Sequence, residues 1–161
     1  MRRMSDSSIP RPPAYARVEM TEIVLPGDAN SLGTAFGGRI MQWIDVAAGV
    51  AARRHAGRVA VTASMDSLTF HRPVRLGDVV VLHASVNRAW RTSMEIGVRV
   101  EYESEGTSTV THAASAYLTF VAVDGSGRPQ SVPPLEPESA EDRRRFEAAE
   151  RRRRVRLGGR P

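Results

Sequence analysis

Residues 39–54 read Arg39-Ile40-Met41-Gln42-Trp43-Ile44-Asp45-Val46-Ala47-Ala48-Gly49-Val50-Ala51-Ala52-Arg53-Arg54. Apolar side chains occupy almost the whole helical circumference, the pattern of a helix packed inside a fold rather than laid on its surface. Its end is marked twice: Arg53, Arg54 and His55 complement the carboxyl-terminal dipole, and Gly57 can take a left-handed cap. Just upstream stand Gly37 and Gly38. Before them, Leu25-Pro26-Gly27-Asp28-Ala29-Asn30-Ser31-Leu32-Gly33 is a cluster of turn formers that links the helix to a short first strand within residues 15–24.

Downstream the period changes from 3.6 to two. Residues 59–65, 79–86 and 109–123 read as strands bounded by turn residues. Between them, Met94, Ile96, Val98, Val100 and Tyr102 alternate with Ser93, Glu95, Gly97, Arg99 and Glu101, one face apolar and the other mainly polar. The connections 71–78 and 103–106 are short enough for antiparallel neighbours. The expected fold is α+β: a first strand, one central helix, then four more strands of a five-stranded antiparallel sheet. One curved sheet cannot wrap a helix that is apolar all round, so a second subunit is expected to close it.

Length and composition bound the function. At 161 residues with 41% hydrophobic content, one domain with a real core is expected. Without Cys there is no disulfide framework, thiolate nucleophile or cysteine zinc site, and the four His offer no pair at metal-ligand spacing. The net charge of +5, carried without a single Lys, is uneven along the chain: residues 1–13 have three Arg against one acid, residues 14–135 eleven against eleven, and residues 136–161 nine against six. The body is neutral and the ends are basic, which argues against a nucleic-acid docking face on the fold itself. The amino-terminal residues carry no apolar run of signal-peptide type, and nowhere do 18 apolar residues follow one another. A soluble cytoplasmic protein, with no membrane partner, is the expectation.

The chain therefore divides into a flexible lead (1–13), a body (14–135) and a tail (136–161). In the tail, Glu141 to Arg145, Glu147 to Arg151 and Glu150 to Arg154 are spaced for i,i+4 pairs on a solvated helix with little apolar content.

Asp45 is the residue hardest to explain structurally, because a bare carboxylate within a buried helix is costly. An Arg partner, a set of hydrogen bonds or a catalytic water in a cleft would each satisfy it. Phe36-Gly37-Gly38 puts two residues without side chains at the positive end of the helix dipole, where free amides can form an oxyanion hole or merely a tight turn. Asn30 is a turn residue whose amide can orient a water or a carbonyl. Arg91-Thr92-Ser93, at a strand junction, offers a guanidinium and hydroxyls to phosphate, or a solvated turn.

Taken together, Asp28-Ala29-Asn30, Gly33 through Met41, Trp43-Ile44-Asp45, Val61 through Asp66, Arg91 through Glu95 and Val132-Pro133-Pro134-Leu135 resemble the hot dog-fold acyl-CoA thioesterases of the cytosolic acyl-CoA hydrolase group, over about residues 18–157. The resemblance implies hydrolysis of fatty acyl-CoA to free acid and CoA, without a cofactor beyond the CoA of the substrate. Asp45 matches the family's catalytic aspartate and Asn30 its catalytic asparagine. Gly37 and Gly38 match the glycines that hold the thioester carbonyl. Phe36 stands where some relatives carry His, a change that touches the acyl pocket and leaves the amides intact. The family's dimer, often gathered into a hexamer, is implied as well.

Geometry adds a constraint. Gly38 and Asp45 are seven residues apart, about 10 Å along a helix axis, so one thioester cannot touch both on the same helix. The expectation is a site shared across a dimer, with Asp45 as general base or nucleophile. Arg91, Ser93 and the tail arginines would then meet CoA phosphates. Two other readings are open: a hot dog hydratase or dehydratase, which wants a His that residues 1–54 lack, and a non-catalytic acyl-CoA sensor, which wants an output domain.

Overall fold

The computed structural model describes residues 8–107 and 109–158. The elements run β1 (Val18–Ile23), α1 (Gly37–Ala56), β2 (Ala60–Phe70), β3 (Val79–Ala89), β4 (Ser93–Glu103), β5 (Val110–Ala122) and α2 (Ala140–Arg156), with 3-10 turns at Pro13–Ala16 and Pro26–Asp28. The strands form one antiparallel sheet in the order β1-β3-β4-β5-β2. This is the α+β arrangement expected from the change of period, one long helix lying on a five-stranded sheet.

The helix α1 ends where its sequence signals place the end. Gly57 adopts the left-handed conformation at φ 69°, and its amide donates to the Arg53 carbonyl. One stripe of α1, including Ile40, Trp43, Ile44, Ala47, Ala48, Ala51 and Ala52, is buried against the inner face of the sheet, which presents Leu82, Met94, Ile96, Val100, Leu118 and Phe120. The four alanines let the helix axis approach the sheet closely, so the bulk is supplied by the strands. The opposite stripe is not covered: Met41, Val46 and Val50 are exposed.

Two expectations are corrected by the strand pairing. The connection 71–78 does not join neighbours. β2 pairs with β5 at one edge of the sheet, while β3 lies between β1 and β4. β2 is also longer than the seven residues read from its alternation, because two register shifts, between Thr62 and Ser64 and between Met65 and Ser67, break the period-two pattern along it.

The described part of the lead, residues 8–13, is fastened rather than free. The Arg11 amide donates to the Pro134 carbonyl, the Glu136 amide donates to the Arg11 carbonyl, and the Arg11 guanidinium donates to the carbonyls of Arg54 and His55 at the end of α1. The guanidinium thus answers the negative end of the helix dipole. Residues 1–7 lie outside the described part.

The described part of the tail, residues 136–158, is an element of the fold and not a solvated appendage; residues 159–161 lie outside the described part. Ser139 and Asp142 form a capping box that starts α2. Burial alone pushes the Asp142 carboxyl up, but the Ser139 hydroxyl, backbone amides and Arg17 outweigh it and hold that carboxyl below the usual carboxylate range. α2 then lies on the outer face of the sheet. Arg152 donates to both oxygens of the fully buried Glu95 at 3.0 and 2.6 Å, with its guanidinium 3.7 Å from the Tyr117 ring centroid. Asn87 donates to Glu95 at 3.0 Å, Trp90 to Glu150 at 3.0 Å, and the Arg88 guanidinium lies over the Phe146 ring. No helix among the described residues is long and apolar enough to cross a membrane.

Candidate active site

Asp45 lies on the uncovered stripe of α1, so within this chain its carboxylate is exposed, contrary to the burial expected from its apolar neighbours. The sheet contacts only one side of the helix, and Asp45 shares the other side with Met41. Its partner is Thr62, whose Oγ1 donates to Asp45 Oδ1 at 2.7 Å. Thr62 reaches it from the edge strand β2, opposite Phe120 of β5. Charge-assisted bonds of this kind hold a carboxylate in one orientation and leave its second oxygen open.

Two turns towards the amino end, α1 begins without a side-chain cap. The Arg39 and Ile40 amides donate to the Phe36 carbonyl, at 2.8 and 3.3 Å. Those of Gly37 and Gly38 have no acceptor among the described residues. The Phe36 ring, largely exposed, folds back over Gly38, and a Cβ added there would sit 2.6 Å from Phe36 Cε1. At Gly37 a Cβ would meet the Phe70 ring only at 3.8 Å. Beside Gly37 opens a cleft of about 370 Å³, lined mainly by Ala35, Ile40, Phe70, Pro73 and Val74, with Thr34 and His71 at its margin.

Asn30 belongs to the same corner. The Phe36 amide donates to the Asp28 carbonyl at 2.7 Å, and Arg39 pairs with the Asp28 carboxylate at 2.7 Å, so the Asp28–Asn30 loop is stitched to the start of α1. Asn30 Oδ1 accepts from the amides of Leu32 and Thr34.

Arg91-Thr92-Ser93 forms the turn between β3 and β4. Ser93 and Val61 both face Val121 of β5, so the turn lies two strands, about 10 Å, from the strand position next to Thr62. Ser93 points to the opposite face, where Arg153 of α2 donates to its hydroxyl and stacks on Trp90. Arg91 is exposed. Of the tail arginines read as phosphate ligands, Arg152 is committed to Glu95 and Arg154 pairs with Glu150. The structure thus gathers Asn30, Phe36, Gly37 and Gly38 at one end of α1. Asp45 sits further along the helix with Thr62, and Arg91-Thr92-Ser93 lies across the sheet.

The larger hollow, about 610 Å³, lies between α2 and the outer face of the sheet, away from α1. Its arginines are all engaged: Arg17 with Asp142, Arg99 with Glu101, Arg144 and Arg145 with Glu141, and Arg152 with Glu95. The Arg144 hydrogen bond holds the Glu141 carboxyl at about 2. His55, the histidine nearest Asp45 in sequence, is fully buried at the end of α1 with Nε2 on the Pro133 carbonyl at 2.9 Å. Burial lowers its pKa, the bond to Pro133 raises it less, and nearby Arg11 lowers it further. It has no role beside Asp45.

Thr62 is the residue that the sequence reading passed over. Its available signal was parity: Thr62 lies two residues after Ala60, which packs on the core, so its hydroxyl faces the helix that carries Asp45.

Residues 32–109 match the family model of the Thioesterase superfamily. The chain is 40% identical over 147 residues to acyl-coenzyme A thioesterase 11 of Mus musculus, covering 91% of this chain and a quarter of that protein's length. It is 42% identical over 127 residues to an uncharacterised acyl-CoA thioester hydrolase of Bacillus subtilis, covering 79% of this chain and 74% of the relative. Among solved structures, a hexameric acyl-CoA thioesterase in its apo form superposes with a TM-score of 0.90 at 40% identity, over 93% of this chain and 96% of that one. An acyl-CoA hydrolase of Staphylococcus aureus, in complex with butyryl-CoA, CoA and CoA disulfide, gives 0.86 at 34% identity, over 92% and 90%. The same hydrolase has been solved with an aspartate, an asparagine or a threonine replaced by alanine. On fold and sequence alike, the chain belongs to the thioesterase superfamily, among the hot dog-fold acyl-CoA thioester hydrolases.

Proposed function

We propose that this chain hydrolyses fatty acyl-CoA to a free carboxylate and CoA, with Asp45 as general base and the amides of Gly37 and Gly38 as the oxyanion hole. The observation that carries the reading is Asp45 on the open stripe of α1, held by Thr62, with a pair of unengaged amides two turns away on the same helix. The replaced residues of the Staphylococcus aureus hydrolase support it: they are 15 and 17 residues apart, the spacing that separates Asn30, Asp45 and Thr62 here.

In this scheme the Asp45 oxygen not taken by Thr62 removes a proton from water as the water oxygen attacks the thioester carbonyl. Charge developing on the carbonyl oxygen is met by the Gly37 and Gly38 amides at the positive end of α1. Collapse expels the CoA thiolate, which Asp45 or solvent protonates. The apolar cleft beside Gly37, with Ile40, Phe70 and Val74, takes the first carbons of the acyl chain. Arg91 meets a CoA phosphate.

A separation of about 10 Å between Gly38 and Asp45 requires the two halves of the site to come from different copies. The uncovered stripe with Met41, Val46 and Val50, next to the exposed edge strand β2, is the surface a second copy closes. The hexameric relative supports assembly, and a dimer or a trimer of dimers satisfies the same geometry.

The test is thiol release from an acyl-CoA chain-length series, free of protein background because the chain has no Cys. Turnover disappears in a folded Asp45→Ala variant. Mixing Asp45→Ala with Asn30→Ala chains then restores about a quarter of wild-type activity, since half of random dimers hold one intact shared site. No recovery on mixing confines the site to one chain. A burst of CoA equal to the enzyme concentration reassigns Asp45 as a nucleophile.

A further inference from the structure

We infer that Thr34 is a positioning residue for Asn30, locking its amide so that it offers the substrate a single N–H and no acceptor. The inference rests on the reading of Asn30 as part of the acyl-CoA site and deepens it.

The orientation of the amide follows from its neighbours. Leu32 N lies 3.0 Å and Thr34 N lies 3.2 Å from one terminal atom of Asn30, and backbone amides only donate, so that atom is the oxygen. Its acceptor capacity is used within the loop. On the other side, Thr34 Oγ1 lies 2.9 Å from Asn30 Nδ2, so the hydroxyl accepts one amide hydrogen. Thr34 is itself held, by its backbone bridge to Arg75 and by the bond from the Asn30 backbone N–H to its carbonyl at 2.8 Å. Asn30 therefore has one amide hydrogen left, fixed in direction by its other bonds.

The chemistry of Asn30 follows. A group that can only donate would hold a water through one of its lone pairs and so lower the nucleophilicity of the oxygen that must attack. A thioester oxygen that becomes negative gains directly. Asn30 thus acts as a third donor beside Gly37 and Gly38, and Thr34 sets the direction of that donor. The hydroxyl is the working part of Thr34, because the Thr34 amide contribution survives any substitution other than Pro.

The experiment compares Thr34→Val, which keeps the β-branched shape and removes the hydroxyl, with Thr34→Ser, which keeps the hydroxyl, in steady-state acyl-CoA hydrolysis. Expected is a three- to tenfold lower kcat in Thr34→Val, about the worth of one neutral hydrogen bond, with KM unchanged and kcat largely restored in Thr34→Ser. In an Asn30→Ala background, Thr34→Val has no further effect, because its only route to the reaction has been removed. Thr34→Val with wild-type kcat beside a slow Asn30→Ala overturns the positioning role alone. Full additivity of the two losses overturns it as well. If Asn30→Ala itself turns over normally, the assignment of Asn30 fails and this inference falls with it.

Discussion

Thr62 Oγ1 donates to Asp45 Oδ1 across 2.7 Å, tying the edge strand β2 to the open stripe of α1 at the carboxylate proposed to do the chemistry. A hydrogen bond to a charged group contributes about 1.5–3 kcal/mol. Thr62→Ala therefore lowers kcat on the order of 10- to 100-fold, while Thr62→Ser stays within a fewfold of wild type. Because both residues are exposed in the chain, the Tm of the two variants, read by calorimetry, differs little.

Gly37 and Gly38 respond differently to alanine. At Gly37 the added methyl meets Phe70 at ordinary contact distance; at Gly38 it strikes the Phe36 ring at 2.6 Å. Gly37→Ala keeps kcat within about threefold, while Gly38→Ala loses on the order of tenfold or more as the ring is driven off the helix start. Adding Phe36→Ala to Gly38→Ala recovers part of the loss if the ring is the cause. Initial rates on one acyl-CoA decide it.

The tail is predicted to matter for stability more than for chemistry. Arg152→Ala leaves the buried Glu95 carboxylate with only Asn87, and an uncompensated buried charge costs about 3–5 kcal/mol. For a chain of this size that is a Tm lower by about 10 °C. Replacing both partners with Leu restores much of the difference, which a thermal melt reads directly.

Stability also depends on pH through His55. Its folded pKa lies below the usual 6.5 because burial disfavours the charged ring. The unfolded chain therefore binds more protons than the folded one between the depressed value and 6.5. Stability is full above that window and falls as pH drops through it. In His55→Gln, which can still donate to the Pro133 carbonyl, denaturant midpoints between pH 7 and 5 lose this slope. At lower pH the docking of α2 weakens in turn, since Glu150 is held down first by the Trp90 hydrogen bond and Asp142 by its capping donors, and both contributions vanish once the carboxyls protonate.

A charge on the open stripe of α1 tests the shared site. Val46→Glu and Val50→Glu sit at exposed positions and leave the monomer folded, but they forbid a second apolar surface from covering the helix. Expected are smaller particles by light scattering, and turnover lower on the order of a hundredfold or more, since half of the reacting groups are no longer brought together.

Much of the architecture was legible because it rests on local periodicity. The α1 boundaries, the Gly57 cap and the inward face of β4 follow from residue spacing alone. Strand order was not legible: the link 71–78 is short, yet β2 pairs with β5, a choice made by packing between distant segments. The exposure of Asp45 was hidden for a similar reason, since the apolar circumference of α1 is written for an assembly and one chain covers only a stripe of it. Asn30, Phe36, Gly37 and Gly38 were readable as a group because they are close in sequence. Thr62 was harder to see, because its meaning depends on a helix 17 residues earlier. The docking of α2 turns on Glu95, which alternation assigns correctly to the polar face but whose burial only the Arg152 contact reveals.

The two register shifts in β2 imply a rule for how this gene can vary. Side chains on a strand alternate, so one residue gained or lost between Ala60 and Thr62 would turn the threonine hydroxyl away from Asp45 and expose it on the wrong side of the sheet. Two residues gained or lost there would preserve the parity. The irregularities lie immediately beyond Thr62, where an extra residue can be absorbed without reaching back to it. Length changes in this strand should therefore be found as single residues after position 62, and only in pairs before it.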